Sequence, residues 1–166
     1  MNRRDLLRTI SMAAAGANAS GRQFTADYNA SKELAAGDWK PVFLDPHQTE
    51  TVARFGELVV PGSREAQAVR FIDRLLAAES REIQADFLNA LASLDGECRD
   101  RYKAPFLDAT SEQQTELLGA LAHPAAICFL VLKDWVAKAY YSSEAGQREL
   151  GSDGTPPHGV FTGCGR

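Results

Sequence analysis

The sequence predicts an all-α protein, a single helical bundle of about five helices with an extended N-terminal arm and an irregular C-terminal tail. Apolar residues recur at spacings of three and four along most of the chain, and helix-capping signals precede several of these runs. No segment alternates with period two for long enough to form a strand. The length of 166 residues, 45% of them hydrophobic and 24% charged, fits one globular domain.

Residues 1–19 have the composition of a targeting segment. An arginine pair, Arg3 and Arg4, precedes Leu6 and Leu7, an apolar run rich in small residues and an Ala-Asn-Ala processing site. This segment resembles a twin-arginine export signal, which implies export to the periplasm; without a working signal the protein would stay in the cytoplasm. The apolar run is far shorter than the roughly 20 residues that span a bilayer, so we predict no transmembrane segment.

Residues 20–43 form the predicted arm. They are polar, contain two glycines and a proline, and show no helical period longer than two turns. Extended terminal arms of this kind often lie on a neighbouring molecule.

Residues 44–142 hold the predicted bundle. Its first helix follows Asp45, a favourable N-cap, and Pro46, which suits the first helical position. Pro61-Gly62 ends this helix, and a second helix is expected from Ser63 to about residue 80.

Three further helices complete the bundle. The third runs from Arg81 to about residue 104, where Pro105 follows, although Gly96 lies in its interior. Thr110 and Gln113 form a capping box for the fourth helix, which ends at the His-Pro pair at 123–124. The fifth helix spans about residues 125–142, with an expected inward stripe of Ile127, Leu130, Val131, Trp135 and Val136.

Composition and motifs exclude several functions. The net charge of -4 supplies no basic surface for nucleic acid. The chain has no phosphate-binding glycine loop, no haem-attachment motif and no four-cysteine run, so we predict no cofactor in this chain. His47, His123 and His158 lack metal-ligand spacing and are expected on the surface or in caps, and Asp73 is expected to be an ordinary solvated charge.

The three cysteines are too far apart in sequence to predict a disulfide framework or a metal knuckle. Cys128 lies in an apolar run and is expected to be a buried small hydrophobe. Cys98, between a glutamate and an arginine, is expected to be half exposed and inert. Cys164 lies in a glycine-flanked tail, where it is either incidental or reaches a partner.

Residues 143–166 and the aromatic residues just before them form the predicted docking tail. The tail is rich in glycine and proline and has no core of its own, and aromatic anchors in a polar surround are typical of interface hot spots. The predicted partner-binding residues are Trp135, Tyr140, Tyr141, Glu144, Gly146, Phe161 and Cys164. For Trp135 and one of the tyrosines, closure of the bundle core is an equally good interpretation.

Three stretches carry a family resemblance. FGELVVPGSREAQAVRFIDRLL, KDWVAKAYYSSEAGQRELGSDG and FTGCGR follow one another in this order behind the arginine pair. Over about Leu44 to Cys164 they resemble the small-subunit family of gluconate 2-dehydrogenase, and the small subunits of glucoside 3-dehydrogenases have a similar length and layout. The most specific piece is the tail, with its aromatic pair, Gly146 and the terminal Gly163-Cys164.

The resemblance implies a non-catalytic partner of a large, membrane-associated or periplasmic FAD-dependent sugar or sugar-acid dehydrogenase, often accompanied by a cytochrome c subunit that receives electrons. The small subunit of such a complex brings the export signal for the cofactor-loaded large subunit. FAD, with an iron–sulfur cluster or haem as further candidates, would be held by the partner subunits. The resemblance fixes neither the sugar nor the electron acceptor.

The residues leave two other functions open. One is an enzyme that uses Tyr141 or Cys164, together with His158, as nucleophile or acid/base. The other is a helical adaptor for an unrelated envelope protein.

Overall fold

The computed structural model describes residues 39–152, which form six α-helices and one short 3-10 helix and contain no strand. The helices are α1 (Pro46–Val59), α2 (Ala68–Ala78), α3 (Arg81–Tyr102), the 3-10 helix (Phe106–Asp108), α4 (Ser111–Leu121), α5 (Ile127–Tyr141) and α6 (Glu144–Glu149). The predicted all-α bundle is confirmed. The predicted residues Arg3, Arg4, Leu6, Leu7, Phe161 and Cys164 lie outside the described residues.

Helix α5 is the centre of the bundle, because it packs against α1, α2, α3 and α6. Its inward residues include Phe129, which meets Phe55 of α1 edge to face with 5.9 Å between ring centroids. Six residues further on, Trp135 makes a similar contact with Phe87 of α3 at 5.5 Å. Edge-to-face aromatic pairs of this kind add to the stability that apolar burial provides. Among the described helices, none is both long enough and apolar enough to cross a bilayer.

Helix α1 begins where its capping signals predict. The Asp45 carboxylate accepts a hydrogen bond from the Gln48 N–H at 2.8 Å, and the Gln48 side chain accepts one from the Asp45 N–H at 3.0 Å. This reciprocal capping box satisfies two backbone donors that the first helical turn leaves free. Thr110 and Gln113 form the same arrangement at the start of α4, so the capping predictions for both helices are confirmed.

The predicted start of the second helix at Ser63 is wrong, since α2 begins at Ala68. The left-handed backbone of Gln67 (φ 57°) interrupts helical geometry directly before Ala68. The turn that precedes Gln67 is joined to α1 by Glu57, whose carboxylate accepts hydrogen bonds from the backbone N–H groups of Gly62 and Arg64, each at 3.1 Å. These bonds hold the start of the turn against α1. They are also the main reason why the pKa of Glu57 is lowered.

Helix α3 is continuous through Gly96 and ends at Lys103, whose left-handed backbone (φ 62°) terminates it just before Pro105. The prediction that Cys98 is half exposed is wrong, because its side chain is fully buried. Its charged sequence neighbours lie about 100° away around the helix, whereas Leu94, four residues earlier, shares its inward face.

Asp73 of α2 is buried rather than solvated, so the prediction of an ordinary surface charge is wrong. Its carboxylate accepts hydrogen bonds from the backbone N–H groups of Val42, Phe43 and Leu44, at 2.8, 2.9 and 2.9 Å. These bonds compensate for the burial of the charge. The last residues of the predicted arm are thereby fixed to α2 of the same chain.

The N-terminal part of α5 does not use the predicted inward stripe. Val136 is buried and Trp135 and Val131 pack against the core, as expected, but Ile127 is 65% exposed and Leu130 is 41% exposed. Residues 125–132 are apolar on every side of the helix, so the period of three and four could not identify which face points inward. Neighbouring apolar residues, Phe129 among them, fill the core instead.

Candidate partner-binding surface

Two consecutive tyrosines at the end of α5 have different environments. Tyr140 is 8% exposed and its ring lies close to Gly62, where an added Cβ would be 3.7 Å from the Tyr140 hydroxyl. Tyr141 is 37% exposed and contacts the Tyr140 ring edge to face at 5.2 Å. A side-chain hydrogen bond with Glu149 raises the pKa of Tyr140, and burial of the hydroxyl is the second cause. Tyr140 is therefore part of the bundle, while Tyr141 presents a ring to the outside.

Helix α6 is held tightly against the end of α5. The Ser143 hydroxyl donates a hydrogen bond to the Tyr140 carbonyl at 2.6 Å and accepts one from the Gly146 N–H at 3.2 Å. The Gln147 side-chain amide donates to the Tyr141 carbonyl at 2.5 Å. A Cβ at Gly146 would collide with the Tyr140 carbonyl group and lie 2.7 Å from the Tyr141 Cα. Only glycine allows this close approach of the two backbones.

The predicted partner-binding residues therefore divide into two groups. Trp135, Tyr140 and Gly146 support the packing of the bundle, which is the alternative that the sequence left open for Trp135 and one tyrosine. Tyr141 and Glu144 are exposed and available to a partner.

Three exposed apolar side chains near these residues were missed as candidates for partner binding. Leu150 is 64% exposed just after α6, and Ile127 and Leu130 are exposed on α5. Sequence reasoning could have found Leu150, since it is the one large apolar residue in a polar stretch from residue 142 to residue 152.

A His–Asp pair borders a cavity of about 220 Å³ between α1 and α3. His47 Nε2 lies 2.9 Å from Asp95 Oδ2, and the other carboxylate oxygen of Asp95 accepts a hydrogen bond from the Phe106 N–H at 2.9 Å. The hydroxyl that lines the cavity, from Thr51, already donates to the His47 carbonyl at 2.8 Å. The pair thus joins α1, α3 and the 3-10 helix, and no lining residue completes a nucleophile–base arrangement with it.

A second cavity, of about 270 Å³, lies beside Trp39. The Arg70 guanidinium lies over the Trp39 ring, 5.2 Å from its centroid, and Arg64 donates to Glu50 at 2.6 Å. Arg64, Glu50 and Arg70 therefore each have an interaction partner beside this cavity. Within residues 39–152, no three histidine, cysteine, aspartate or glutamate side chains come together as a possible metal site.

The two described cysteines are reduced and shielded. Burial raises the pKa of Cys98, and the nearby Asp95 carboxylate adds to this effect; burial also raises the pKa of Cys128. Both thiols therefore form the nucleophilic thiolate less readily than a free cysteine would. Cys128 is half-buried rather than fully buried.

The described part of the chain is a small all-α protein whose aromatic residues mainly pack within its bundle. Four of its seven exposed large apolar residues lie on or after α5: Ile127, Leu130, Tyr141 and Leu150. The family model described as gluconate 2-dehydrogenase subunit 3 matches residues 46–153, more than half of the chain. The protein belongs to the gluconate 2-dehydrogenase subunit 3 family. The match spans all six helices but does not extend to Phe161 or Cys164. Neither a curated protein nor a solved structure matches the chain significantly.

Proposed function

We propose that this protein is the non-catalytic small subunit of an FAD-dependent sugar or sugar-acid dehydrogenase, of the gluconate 2-dehydrogenase or glucoside 3-dehydrogenase type. It binds and stabilises the large flavoprotein subunit and escorts it through twin-arginine export to the periplasm. A cytochrome c subunit is a further candidate member of the complex. The observation that carries this proposal is the family match across α1 to α6.

The surface at the end of α5 supports a binding role. Tyr141 is exposed directly before the docking tail, and Glu144 and Leu150 are exposed in the first part of the tail that also carries Phe161 and Cys164. A tyrosine ring and an aliphatic side chain beside polar groups have the composition of an interface anchor. We propose that Tyr141 and Glu144 contact the large subunit together with Phe161 and Cys164 of the tail.

FAD fits the large subunit better than this chain. Binding a dinucleotide needs backbone N–H groups that cradle the phosphates, usually in a glycine-rich loop between a strand and a helix. The described residues contain helices and turns only, and their glycines are isolated from one another. The small subunit would therefore act through protein contacts, while the partner carries out the oxidation.

Co-expression tests the proposal directly. The proposed flavoprotein partner is produced with and without this chain, and soluble yield, FAD content and sugar-dependent dye reduction are measured. We expect all three to fall without the small subunit, and the purified small subunit alone to give no turnover. A flavoprotein that is equally soluble, loaded and active by itself would contradict the proposal.

Export has its own experiment. Replacing Arg3 and Arg4 by lysine should leave the assembled complex in the cytoplasm, because the twin-arginine route reads this pair. Arg8→Lys is the matched control, because it is the same substitution at an arginine of the same segment. Periplasmic activity that is unchanged in the double variant would contradict the escort role.

A further inference from the structure

The end of α4, the connection to α5 and the start of α5, together termed the α4–α5 corner (Leu117 to Leu132), carry exposed surface that lacks charge. The 16 residues from Leu117 to Leu132 include no aspartate, glutamate, lysine or arginine, whereas the chain average of 24% would place about four there. Half of this stretch is exposed all the same: Gly119, Ala120, Ala122, His123, Pro124, Ala125, Ile127 and Leu130. Exposed surface without charge is unusual for a protein with this composition and is typical of the centre of an interface.

The exposed surface of the corner continues along one side of α5. Ile127, Leu130, Asp134, Lys138 and Tyr141 are spaced by three or four residues and all are exposed, so they form one side of the helix, which we term the outer face of α5. The charged residues of this face, Asp134 and Lys138, neutralise each other at 2.6 Å. The outer face extends for about 21 Å, given the rise of about 1.5 Å per residue.

We infer that the outer face of α5 and the adjoining corner bind the large flavoprotein subunit. This inference rests on the proposed function and deepens it, because it places the main contact on the bundle itself rather than on the tail alone. The face ends at Tyr141, directly before α6 and the segment that leads to the tail. A partner bound to the outer face would therefore lie next to α6, after which residues 153–166 follow in the chain.

The size and charge of this surface favour a large partner over a second copy of the chain. A helix face of about 21 Å by about 10 Å covers roughly 200 Å², whereas a stable interface needs about 800 Å² from each partner. A partner that also takes up the tail can supply the remaining area. Two copies of a chain with net charge -4 would in addition repel each other, because the paired Asp134 and Lys138 leave the outer face without compensating charge.

Ile83 is an exposed aliphatic residue with different surroundings. Ile83 is 38% exposed, almost the same as Leu130 at 41%, but it lies among Glu82, Asp86 and other charged or polar residues of α3. An isolated exposed aliphatic residue is normal on a protein surface and indicates no partner. Ile83 is therefore a matched control for Leu130.

The experiment compares Leu130→Glu, Ile127→Glu and Ile83→Glu in binding to the purified large subunit. Because all three positions are exposed, each variant should keep the helical circular dichroism of the wild type. We expect the Kd to rise at least about tenfold for Leu130→Glu and Ile127→Glu and to stay within about twofold for Ile83→Glu. Leu130→Ser gives a milder variant in case a glutamate disturbs the fold.

The outcomes distinguish failure of the proposed function from failure of the inference about the outer face of α5. If the wild-type chain does not bind the large subunit, both the proposed function and this inference fail. If the wild type binds and Leu130→Glu binds as tightly as Ile83→Glu, the inference fails while the proposed function stands. If the free chain is a dimer that Leu130→Glu converts to a monomer without weakening the complex, a second copy occupies this face and the inference is overturned.

Discussion

The two ends of helix α5 use their apolar residues in opposite ways. At the C-terminal end, Tyr140 is nearly buried because α6 and the turn at residues 60–67 cover it. At the N-terminal end, Ile127 and Leu130 remain exposed although their sequence is more apolar, because Phe129 and Leu132 already fill the inward positions. Burial therefore depends on whether another segment of the chain packs over a side chain. Residue type alone does not decide which side chains are free for a partner.

The adjacent tyrosines offer the largest expected contrast. Tyr140→Ala should lower the free energy of unfolding by about 4 kcal/mol, since it empties a buried aromatic site. Tyr141→Ala should cost less than about 1.5 kcal/mol, because that ring is partly exposed and mainly loses its contact with Tyr140. Urea unfolding of both variants measures the difference. Equal losses of unfolding free energy would contradict the different environments of the two tyrosines.

Two leucines test the other end of α5 in the same way. Leu132 is 1% exposed and Leu130 is 41% exposed, although they are two residues apart in the same helix. Leu132→Ala should cost about 3 kcal/mol through lost burial and a cavity, and Leu130→Ala less than about 1 kcal/mol. Thermal and urea unfolding provide the measurement. A loss at Leu130 comparable to that at Leu132 would show that the outer face already has a covering within this chain.

Gly146 tests whether the cover over Tyr140 depends on close backbone contact. Gly146→Ala should destabilise the protein by about 2 kcal/mol, because the new Cβ collides with the backbone of Tyr140 and Tyr141 and displaces α6. Gly96→Ala is the matched control: nothing lies within 4 Å of its added Cβ, so alanine should stabilise α3 by up to about 1 kcal/mol. In urea unfolding, we expect the free energy of unfolding to fall for Gly146→Ala and to rise for Gly96→Ala. Stabilisation by both substitutions would contradict the close packing of α6.

The smallest effect concerns pH and the turn that covers Tyr140. Backbone hydrogen bonds from Gly62 and Arg64 lower the pKa of Glu57 below its ordinary value of 4.5. A lowered folded-state pKa contributes stability that is present above the unfolded value and is lost as the pH falls through the folded value. The contribution should be less than about 1 kcal/mol, since the Glu57 side chain is only partly buried and water screens its charge.

Glu57→Gln should therefore reduce the loss of stability between about pH 5 and about pH 3. Urea unfolding at several pH values measures this slope, and Glu65→Gln, at an exposed carboxylate of the same turn, is the control. If stability changes with pH equally in Glu57→Gln and in the wild type, the Glu57 carboxylate does not contribute to the pH dependence.

Helix positions were predictable from local chemistry, because the information lies within a few residues. The Asp45 and Thr110 caps fixed the starts of α1 and α4, and Pro105 marked the end of α3. The start of α2 was not predictable in this way, since Glu57, in the preceding helix, holds the turn before it. The left-handed backbone of Gln67 and these contacts between residues five and seven apart in sequence set that boundary.

Burial was predictable only where a helix has one apolar side. Asp73 and Cys98 occupy inward positions of α2 and α3, and their helical spacing from buried residues could have predicted their burial. The pairing of Asp73 with the backbone at residues 42–44 could not be predicted, because it joins segments 29 or more residues apart. Residues 125–132 are apolar on every side, so the outer face of α5 became visible only in the folded bundle.

Hydroxyl-radical footprinting of the small subunit, free and bound to its flavoprotein, tests the central claim most directly, because it reports the solvent exposure of individual side chains. We predict that Ile127, Leu130 and Tyr141 lose most of their labelling in the complex, while Ile83 keeps it. Unchanged labelling of Ile127 and Leu130 in an intact complex would contradict the account.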